Sequence, residues 1–351
     1  MHLPLEFAIG DRLVGPGHPT YVIAEAGANH NRDWDTACRL IDVAAEAGAD
    51  AVKFQTYSGS AIYSTKTPRF KYLEGVTDKS PTELLEDVSL PREWQPELDA
   101  YARERGLHFF STPFDDDAVD QLDALDVPVL KVASFELVDV ELIKKAASTG
   151  RPLILSTGMA VFGEIEDGLA AAAEGGAPAV GLMQCTSIYP APAELINLRA
   201  MATMQQAFGV PVGLSDHSLG IAIPIAAAAL GAAFVEKHFT LDRTMVGPDH
   251  PFAVEPHELT AMVAGIREAQ LALGDGRKAG PSPEEAEEMY TLGRRSLIIT
   301  RDLPAGTVLE RDMLTTKRPG YGVPPKQLPL VLGRPLKVDA EEDEILTWEM
   351  V

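Results

Sequence analysis

Short runs of apolar residues recur between residues 21 and 238, and most are separated by a longer stretch with helical periodicity. The runs are mostly continuous instead of alternating with polar residues, which is typical of strands that are covered on both faces. The pattern therefore predicts repeated βα units, with eight strands at Tyr21–Ala26, Ala51–Gln55, His108–Thr112, Val129–Ala133, Leu153–Ser156, Val180–Cys185, Val212–Leu214 and Ala233–His238.

Three of these predicted strands follow the same kind of helix ending. It reads AAEAGADAV from Ala44, AAEGGAPAV from Ala172 and AALGAAFV from Ala228. Each copy has a glycine where a helix takes its left-handed C-terminal cap. Eight such units favour a closed (β/α)8 TIM barrel over an open doubly wound sheet, and no G-x-G-x-x-G motif follows the first strand.

Two segments depart from a minimal barrel. Residues 57–92 are long, polar and contain proline, so this segment is either a lid over the site or a solvated insertion. Residues 276–293 have the glycine, proline and acidic composition of a linker. We therefore expect a catalytic barrel over residues 1–275 and a small β-rich domain over residues 294–351. The hydrophobic core of so small a domain is marginal, so we expect this domain to pack on a partner surface.

Composition and charge limit the classes of function. The 351 residues carry 30 Lys and Arg against 52 Asp and Glu, a formal charge of -22, which argues against binding nucleic acid or anionic membranes. Two cysteines, Cys38 and Cys185, are too few for a disulfide scaffold and fit a cytoplasmic location. Neither a signal peptide nor a membrane span is expected.

Polar and charged side chains cluster where the predicted strands end, which is where a barrel places its active site. They are Glu25, Asn29, His30, Lys53, Gln55, Thr112, Lys131, Ser134, Glu136, Ser156, Thr157, Cys185, Ser187, Tyr189, Ser215, Asp216, His217, Glu236 and His238. Because an unpaired buried charge costs several kcal/mol, a charged ligand is the simplest explanation for this set.

The two lysines Lys53 and Lys131 indicate a site for a phosphate or a carboxylate. Hydroxyls and a backbone amide near the same strand ends complete that donor set: Ser134, Ser156, Ser215 and the amide of Gly158. A Schiff-base lysine, as in some aldolases, is a competing interpretation. In the plainest alternative, each lysine pairs with a neighbouring acid.

His217 and His238 end the last two predicted strands, so both imidazoles can point into the barrel mouth. Such a pair is either a metal site or two hydrogen-bonded core histidines. Glu25 and Asp249 nearby favour the metal. With nitrogen and oxygen ligands, we expect a divalent first-row ion or magnesium.

A series of motifs carries a family resemblance along nearly the whole chain. The motifs are EAGANH at 25–30, VKFQT at 52–56, STPF at 111–114, LSTGM at 155–159, CTSIYP at 185–190, GLSDH at 213–217, EKHFT at 236–240 and GPDH at 247–250. Together they resemble the sialic acid synthase family of nonulosonate synthases. The last domain, with KRPG at 317–320, resembles the antifreeze-like domain that ends these synthases.

The resemblance implies a metal-dependent condensation of phosphoenolpyruvate with an open-chain 2-acetamido hexose, either N-acetylmannosamine or a 6-deoxy diacetamido analogue. The products are a nine-carbon 2-keto acid and phosphate. Manganese is the expected metal, with magnesium or cobalt as alternatives. The resemblance also implies a domain-swapped homodimer, in which the last domain caps the barrel mouth of the other chain.

The same resemblance assigns roles to residues. It implies that phosphoenolpyruvate is held by Lys53, Lys131, Ser134, Ser156, Ser187 and Ser215, the metal by His217 and His238, and the sugar by Gln55, Thr112, Tyr189, Asp249 and Arg318. Glu136 would be the acid or base near the reacting carbons. Glu25 would order a metal-bound water or a sugar hydroxyl.

Two positions leave the sugar open. Ser187 stands where sialate-forming members usually carry Asn, and Phe135 where they usually carry Gly, so both positions are similar to those of pseudaminate-forming members. Gly247–Phe252 is closer to the sialate and legionaminate types. The alternatives are therefore a pseudaminic or legionaminic acid synthase, more remotely a Schiff-base aldolase, and outside enzymes a non-catalytic carbohydrate-binding protein.

Overall fold

The computed structural model describes residues 3–68 and 79–351. The chain divides into two compact units, Met1–Gly274 and Asp275–Val351. Within the second unit, the segment predicted as a linker contains two short helices, Pro283–Glu287 and Met289–Gly293. Each unit is described separately below.

The first unit is built on a nearly closed barrel of eight parallel strands. An antiparallel hairpin, β1 (Phe7–Ile9) and β2 (Arg12–Val14), precedes it. The barrel strands are β3 (Tyr21–Glu25), β4 (Ala51–Thr56), β5 (His108–Pro113), β6 (Leu130–Val132), β7 (Leu153–Ser156), β8 (Val180–Cys185), β9 (Val212–Asp216) and β10 (Phe234–His238). Pairing runs in the order β5-β4-β3-β10-β9-β8-β7-β6, and the two end strands also lie side by side.

This arrangement confirms the predicted barrel, and its strand bounds differ little from the expected ones. The strand predicted at Val212–Leu214 continues to Asp216, whereas the one predicted at Val129–Ala133 is shortened to Leu130–Val132. The glycines of the three repeated helix endings, Gly48, Gly176 and Gly231, have φ values of 78°, 94° and 90°. They therefore take the left-handed conformation that the sequence predicts.

Helices follow the strands and cover the outside of the barrel. The longer ones are α1 (Trp34–Glu46), α4 (Gln95–Glu104), α5 (Asp116–Ala124), α6 (Val140–Ala147), α7 (Phe162–Gly175), α8 (Ala200–Phe208), α9 (Ala222–Ala229) and α10 (Pro256–Leu273). Two shorter ones, α2 (Gly59–Ile62) and α3 (Pro81–Val88), lie between β4 and α4. Short 3-10 turns occur at Arg92–Trp94, Ser134–Glu136, Ala193–Leu195 and His250–Phe252.

Close packing inside the barrel depends on two glycines. A Cβ on Gly181 would lie 2.6 Å from the Phe234 ring, and one on Gly213 would lie 2.3 Å from the Phe234 carbonyl oxygen. Phe234 is fully buried, so any larger residue at either position would displace it.

The segment between β4 and α4 is held together where it is described. The Gly59 amide donates to a Glu86 carboxylate oxygen at 2.9 Å, and Arg32 donates to the Glu86 carbonyl at 2.8 Å. Residues 69–78 lie outside the described residues. The interpretation of residues 57–92 as a lid over the site stays a prediction.

The second unit contains a two-stranded antiparallel sheet of β11 (Ser296–Ile299) and β12 (Leu314–Lys317). Its helices are α11 (Pro283–Glu287), α12 (Met289–Gly293) and α13 (Leu328–Val331), with 3-10 turns at Arg311–Met313, Pro325–Gln327 and Trp348–Met350. Leu297, Leu309, Val323 and Leu346 belong to a separate apolar core. The small β-rich domain is thus confirmed. No helix in residues 3–68 or 79–351 is long and apolar enough to cross a membrane.

Candidate active site

A cleft opens at the carboxyl ends of the barrel strands and brings most of the predicted site residues together. Those that line it are Glu25, Lys53, Gln55, Thr112, Lys131, Ser134, Ser156, Tyr189, Ser215, His217 and His238. Ser187 and Asp249 contact these residues from just outside the lining, as described below. Arg318 is an exposed residue of the second unit, directly after β12.

Strand register explains how Lys53 comes to share the cleft with two buried acids. Glu25 on β3 is paired in register with Lys53 on β4 and with His238 on β10. The Lys53 ammonium lies 2.7 Å from a Glu25 oxygen and 3.7 Å from a Glu236 oxygen. It also donates to the Thr112 hydroxyl at 3.0 Å. Lys53 is therefore already neutralised by the protein.

The acids and the lysine of this cluster shift one another's ionisation. Burial raises the pKa of Glu25 to about 7, although Lys53 opposes the rise. Burial lowers the pKa of Lys53, but Glu236 and Glu25 outweigh that effect and the pKa is raised. Burial likewise raises the pKa of Glu236, but Lys53 and Lys131 outweigh it and the pKa is lowered.

Lys131 has a different environment. Its side chain is buried, and its ammonium donates to the Ser156 hydroxyl at 2.6 Å and to the Val132 carbonyl at 2.9 Å. No ion pair joins it to a carboxylate in residues 3–68 or 79–351. Burial therefore lowers the pKa of Lys131. A buried cation with neutral partners is a binding point for an anionic ligand.

Small residues make room next to Lys131. The Gly158 amide donates to the Ser134 hydroxyl at 3.0 Å. A Cβ on Gly158 would lie 2.3 Å from the Ser187 hydroxyl and 2.8 Å from that of Ser134. The Ser187 hydroxyl is also 3.9 Å from the Cys185 sulfur. Two hydroxyls and a backbone amide thus converge where only glycine fits.

The two predicted metal-binding histidines face each other, with ring centroids 5.4 Å apart. Nδ1 of His238 is buried without a hydrogen-bond partner in the described part of the chain, and an Asp249 oxygen lies 3.6 Å from it. Burial, reinforced by His217, lowers the pKa of His238 well below its usual range. His238 is therefore a neutral imidazole, the form in which histidine binds a metal.

His217 is also held by its neighbours. Its Nδ1 lies 3.1 Å from the Thr186 carbonyl oxygen and 3.7 Å from the Cys185 sulfur. Burial lowers the pKa of His217, but the contact with Cys185 outweighs this effect and the pKa is raised. The ring of Tyr189 packs against His217, with centroids 4.3 Å apart.

One compact group of three potential metal ligands lies elsewhere among the described residues, at Glu255, His257 and Glu258. Glu258 forms an ion pair with Arg243 and accepts from the Glu255 amide at 2.9 Å, as part of the cap of α10. Helix capping and ion pairing therefore explain why these three residues lie together. The sequence pattern does not predict this cluster.

The remaining predicted residues surround the cleft. Gln55 donates to Glu25 at 2.8 Å, and the Ala28 amide donates to Asp249 at 3.3 Å. Glu136 ends the 3-10 turn that begins at Ser134, outside the residues that line the cleft. Its Oε2 is buried without a hydrogen-bond partner in the described residues, and burial raises the pKa of Glu136 to about 7.

Glu236, Cys185 and Phe135 also line the cleft, although no role in binding or catalysis was assigned to them from the residues alone. Glu236 belongs to the polar set expected at the strand ends, and strand alternation explains why it faces the cleft. It lies two residues before His238 and therefore points to the same side of β10. Its partner Ser215, which donates to it at 3.1 Å, has the same relation to His217 on the neighbouring strand.

Comparisons with known proteins agree with this fold. The NeuB family matches residues 40–278, more than half of the chain, and the SAF domain matches residues 294–351. The N,N'-diacetyllegionaminic acid synthase of Campylobacter jejuni is 40% identical over 331 residues, covering 93% of this chain and 98% of that protein. The pseudaminic acid synthase of Helicobacter pylori is 37% identical over 319 residues, covering 90% and 93%.

A solved structure extends the likeness to three dimensions. The N-acetylneuraminic acid synthetase of Leptospira borgpetersenii, determined in complex with citrate, superposes with a TM-score of 0.73 at 34% identity. The match covers 82% of this chain and 96% of that chain. With a family model over most of its barrel and relatives of this identity over nearly its full length, the chain belongs to the NeuB family.

Proposed function

We propose that this protein is a nonulosonic acid synthase that condenses phosphoenolpyruvate with an open-chain 2-acetamido hexose. The observation that carries the proposal is Lys131, a fully buried cation that has hydroxyl and carbonyl hydrogen-bond partners but no carboxylate in ion-pair contact within the described residues; Glu236 acts on it only from beyond that distance. Such a group is costly unless an anion joins it. Phosphoenolpyruvate, with a carboxylate and a phosphate, supplies that charge.

The donors around Lys131 suit the two anionic ends of this substrate. Lys53 and Lys131 provide the charge, and hydroxyls provide the neutral donors, namely Ser134, Ser156, Ser187 and Ser215. Because Lys53 is already paired with Glu25, we assign Lys131 the larger share of the binding energy for the anion.

The reaction balances with the groups present. The C3 carbon of phosphoenolpyruvate forms a bond to the aldehyde carbon of the sugar, and the aldehyde oxygen gains a proton and becomes a hydroxyl. Water then adds to C2 and loses a proton, which leaves a hydroxyl on C2. This hydroxyl loses its proton, and the departing phosphate gains one, as the bond between C2 and the phosphate oxygen breaks to leave a ketone and inorganic phosphate. Glu136, whose pKa burial raises to about 7, is suited to transfer these protons near neutral pH.

The residues present fit a divalent cation between His217 and His238. Two buried imidazoles face each other, and Nδ1 of His238 lacks a hydrogen-bond partner in the described chain. When bound, such a cation, for which manganese is the first choice over magnesium or cobalt, polarises the sugar aldehyde. Glu25, which accepts from Gln55 and pairs with Lys53, orients water or a sugar hydroxyl beside it.

For the sugar, we propose contacts with Gln55, Thr112, Tyr189, Asp249 and Arg318. Exposed apolar side chains, Phe135, Val138 and Met159, line a second cleft that shares Ser134 with the main one. This surface favours an acetamido sugar with an apolar 6-deoxy end over N-acetylmannosamine, in line with a legionaminic or pseudaminic acid synthase.

The test incubates the protein and a divalent cation with phosphoenolpyruvate and a panel of 2-acetamido hexoses. We expect phosphate release that depends on the sugar, with a product whose mass is that of the nine-carbon 2-keto acid. His217→Ala should lose both, and excess chelator should stop turnover of the unmodified protein. Full turnover in chelator would contradict the role of the cation, and sugar-independent phosphate release would contradict the condensation.

A Schiff-base aldolase is the second candidate, because the lowered pKa of buried Lys131 is a property of imine-forming lysines. Borohydride added with pyruvate or phosphoenolpyruvate separates the two. The synthase gives no covalent adduct, whereas the aldolase gives a stable one at a lysine. A non-catalytic carbohydrate-binding protein would bind the sugars and release no phosphate.

We further propose a domain-swapped homodimer in which Arg318 completes the site of the partner chain. Mixing Arg318→Ala and His217→Ala, after the subunits are dissociated and reassociated, puts both lesions in one site and leaves the other intact. Some activity should therefore return. If mixed dimers form and stay inactive, Arg318 does not act in the site of the other chain.

A further inference from the structure

His217 differs from His238 in how the sheet supports it. His238 is the last residue of β10 and is paired in register with Glu25 on β3. His217 lies one residue beyond the end of β9, where the pairing of β9 with β10 ends at Asp216 and Lys237. The pairing of β9 with β10 therefore does not fix the backbone of His217, whose carbonyl accepts a hydrogen bond from the Ala191 amide at 2.9 Å.

A buried polar network lies directly behind the two histidines. Asp216 and Lys237 alternate with the cleft-lining residues of their strands, so their side chains point away from the cleft. The Lys237 ammonium lies 2.6 Å from an Asp216 oxygen, and their side chains are 1% and 0% exposed. Lys237 also donates to the Ser218 carbonyl.

Ser218 closes this network around His217. Its amide donates to one Asp216 oxygen at 3.1 Å, and its hydroxyl donates to the other at 3.0 Å. Both neighbours of His217 are thus bonded to each other, and both are bonded to the residue that precedes His238. The network joins the end of β10 to the turn that carries His217.

We propose that the network of Asp216, Lys237 and Ser218 is a positioning device that holds His217 opposite His238, so that one divalent cation can bind to both rings. The inference rests on the proposed role of the two histidines. It assigns no contact with substrate or cation to the network itself, so these three are positioning residues. Loosening them should spread the histidine pair and weaken cation binding.

The experiment measures the binding of Mn²⁺ to the metal-free full-length protein by calorimetry. In the variant Asp216→Asn with Lys237→Met, the buried charges are removed together, so neither is left unpaired. We expect Mn²⁺ to bind at least about tenfold more weakly, the range seen when groups that orient metal ligands are changed. Ser218→Ala removes only the hydroxyl and should weaken Mn²⁺ binding to a smaller extent.

A matched control is available at the other end of the barrel. Asp50, which precedes β4, is buried and lies 2.6 Å from Arg267. Asp50→Asn with Arg267→Met removes an ion pair far from the histidines and leaves Arg12, which also pairs with Asp50 at 2.6 Å, as a half-exposed cation that water can solvate. This control should lose thermal stability and keep its Mn²⁺ affinity within about twofold of the unmodified protein, because additivity holds between distant sites.

A second readout separates positioning from chemistry. In the network variant, the Mn²⁺ concentration for half-maximal turnover should rise, and kcat at saturating Mn²⁺ should recover. If the double variant does not fold, Ser218→Ala carries the test. Unchanged Mn²⁺ affinity in the folded variants overturns this inference and leaves the proposed function standing. Failure of the unmodified protein to bind Mn²⁺ overturns both the histidine site and the inference.

Discussion

The two buried lysines of the cleft should respond in opposite ways when each is replaced by methionine. Lys53 lies between Glu25 at 2.7 Å and Glu236 at 3.7 Å, whereas the hydrogen-bond partners of Lys131 among the described residues are Ser156 and Val132. Lys53→Met leaves two buried acids without their cation. Lys131→Met removes a cation that has no carboxylate in ion-pair contact, although Glu236 offsets part of its charge from a greater distance.

The magnitudes follow from this difference. Breaking a buried ion pair by removing one partner costs about 3–5 kcal/mol, so Lys53→Met should lower the free energy of unfolding by that amount. Burial lowers the pKa of Lys131, which means that folding disfavours its charged form. Lys131→Met should therefore keep the free energy of unfolding of the ligand-free protein or raise it.

Lys131→Met should weaken the binding of phosphoenolpyruvate, although it does not lower the free energy of unfolding. Lys131→Met removes a charge-assisted hydrogen bond to phosphoenolpyruvate, which is worth about 1.5–3 kcal/mol and weakens binding by about 10- to 150-fold. The assay pairs urea denaturation of the ligand-free protein with calorimetric titration of phosphoenolpyruvate. Lys144→Met, which removes a partly exposed lysine of α6 that pairs with Glu141 and Glu174 at the surface, is the control for both measurements.

The pH dependence of the free energy of unfolding gives a second check on whether Lys131 destabilises the folded protein. Because the pKa of Lys131 is lower in the folded protein, the unfolded chain binds more protons between the two pKa values. The destabilisation by Lys131 is complete below its folded pKa and is lost as the pH rises toward its unfolded value. The gain in stability from Lys131→Met should shrink as the pH rises from the lowered folded pKa to the unfolded one. An equal loss of stability in both methionine variants would refute the reasoning.

The remaining predictions concern the rest of the cleft. Glu136→Gln should lower kcat by about 100-fold or more and remove an inflection near pH 7 from the kcat/KM profile; unchanged kcat would refute the acid–base role. Gly158→Ala should weaken phosphoenolpyruvate binding in titrations, because its Cβ would lie 2.3 Å from the Ser187 hydroxyl and would displace that donor, whereas Gly163→Ala, with open space around it, should bind normally. Phe135→Gly should shift kcat/KM away from 6-deoxy sugars toward N-acetylmannosamine; an unchanged ratio would contradict an apolar contact with the sugar.

The barrel could be predicted from the sequence because its signals are local. A parallel strand covered on both faces reads as a continuous apolar run, and a helix that turns back into a strand ends on glycine. Tyr21–Glu25 and Leu153–Ser156 were found within a residue of their observed bounds for this reason. Closure of eight such units into a barrel brings their carboxyl ends to one mouth, so the set of cleft residues was also predictable.

The pairing of charges within that mouth was decided only by the tertiary structure. Lys53 and Lys131 are alike in sequence, since each lies within a short apolar run, yet Lys53 forms ion pairs with Glu25 and Glu236 and Lys131 has neutral hydrogen-bond partners. Alternation along a strand tells which side a residue faces. Alternation does not give the stagger between strands that are distant in sequence. This stagger decides that the Lys53 ammonium lies 2.7 Å from Glu25 and 3.7 Å from Glu236.

The network of Asp216, Lys237 and Ser218 behind the histidines was also decided only by the tertiary structure. Asp216 and Lys237 read as ordinary neighbours of two candidate ligands, and only the register of β9 with β10 makes them a buried pair. The sequence by itself therefore determined the barrel and the residues of its mouth, because these depend on periodicity and caps. The tertiary structure decided which charged groups are paired, which are unpaired and which residues hold others in place. These relations depend on contacts across the barrel, and no local sequence pattern encodes such contacts.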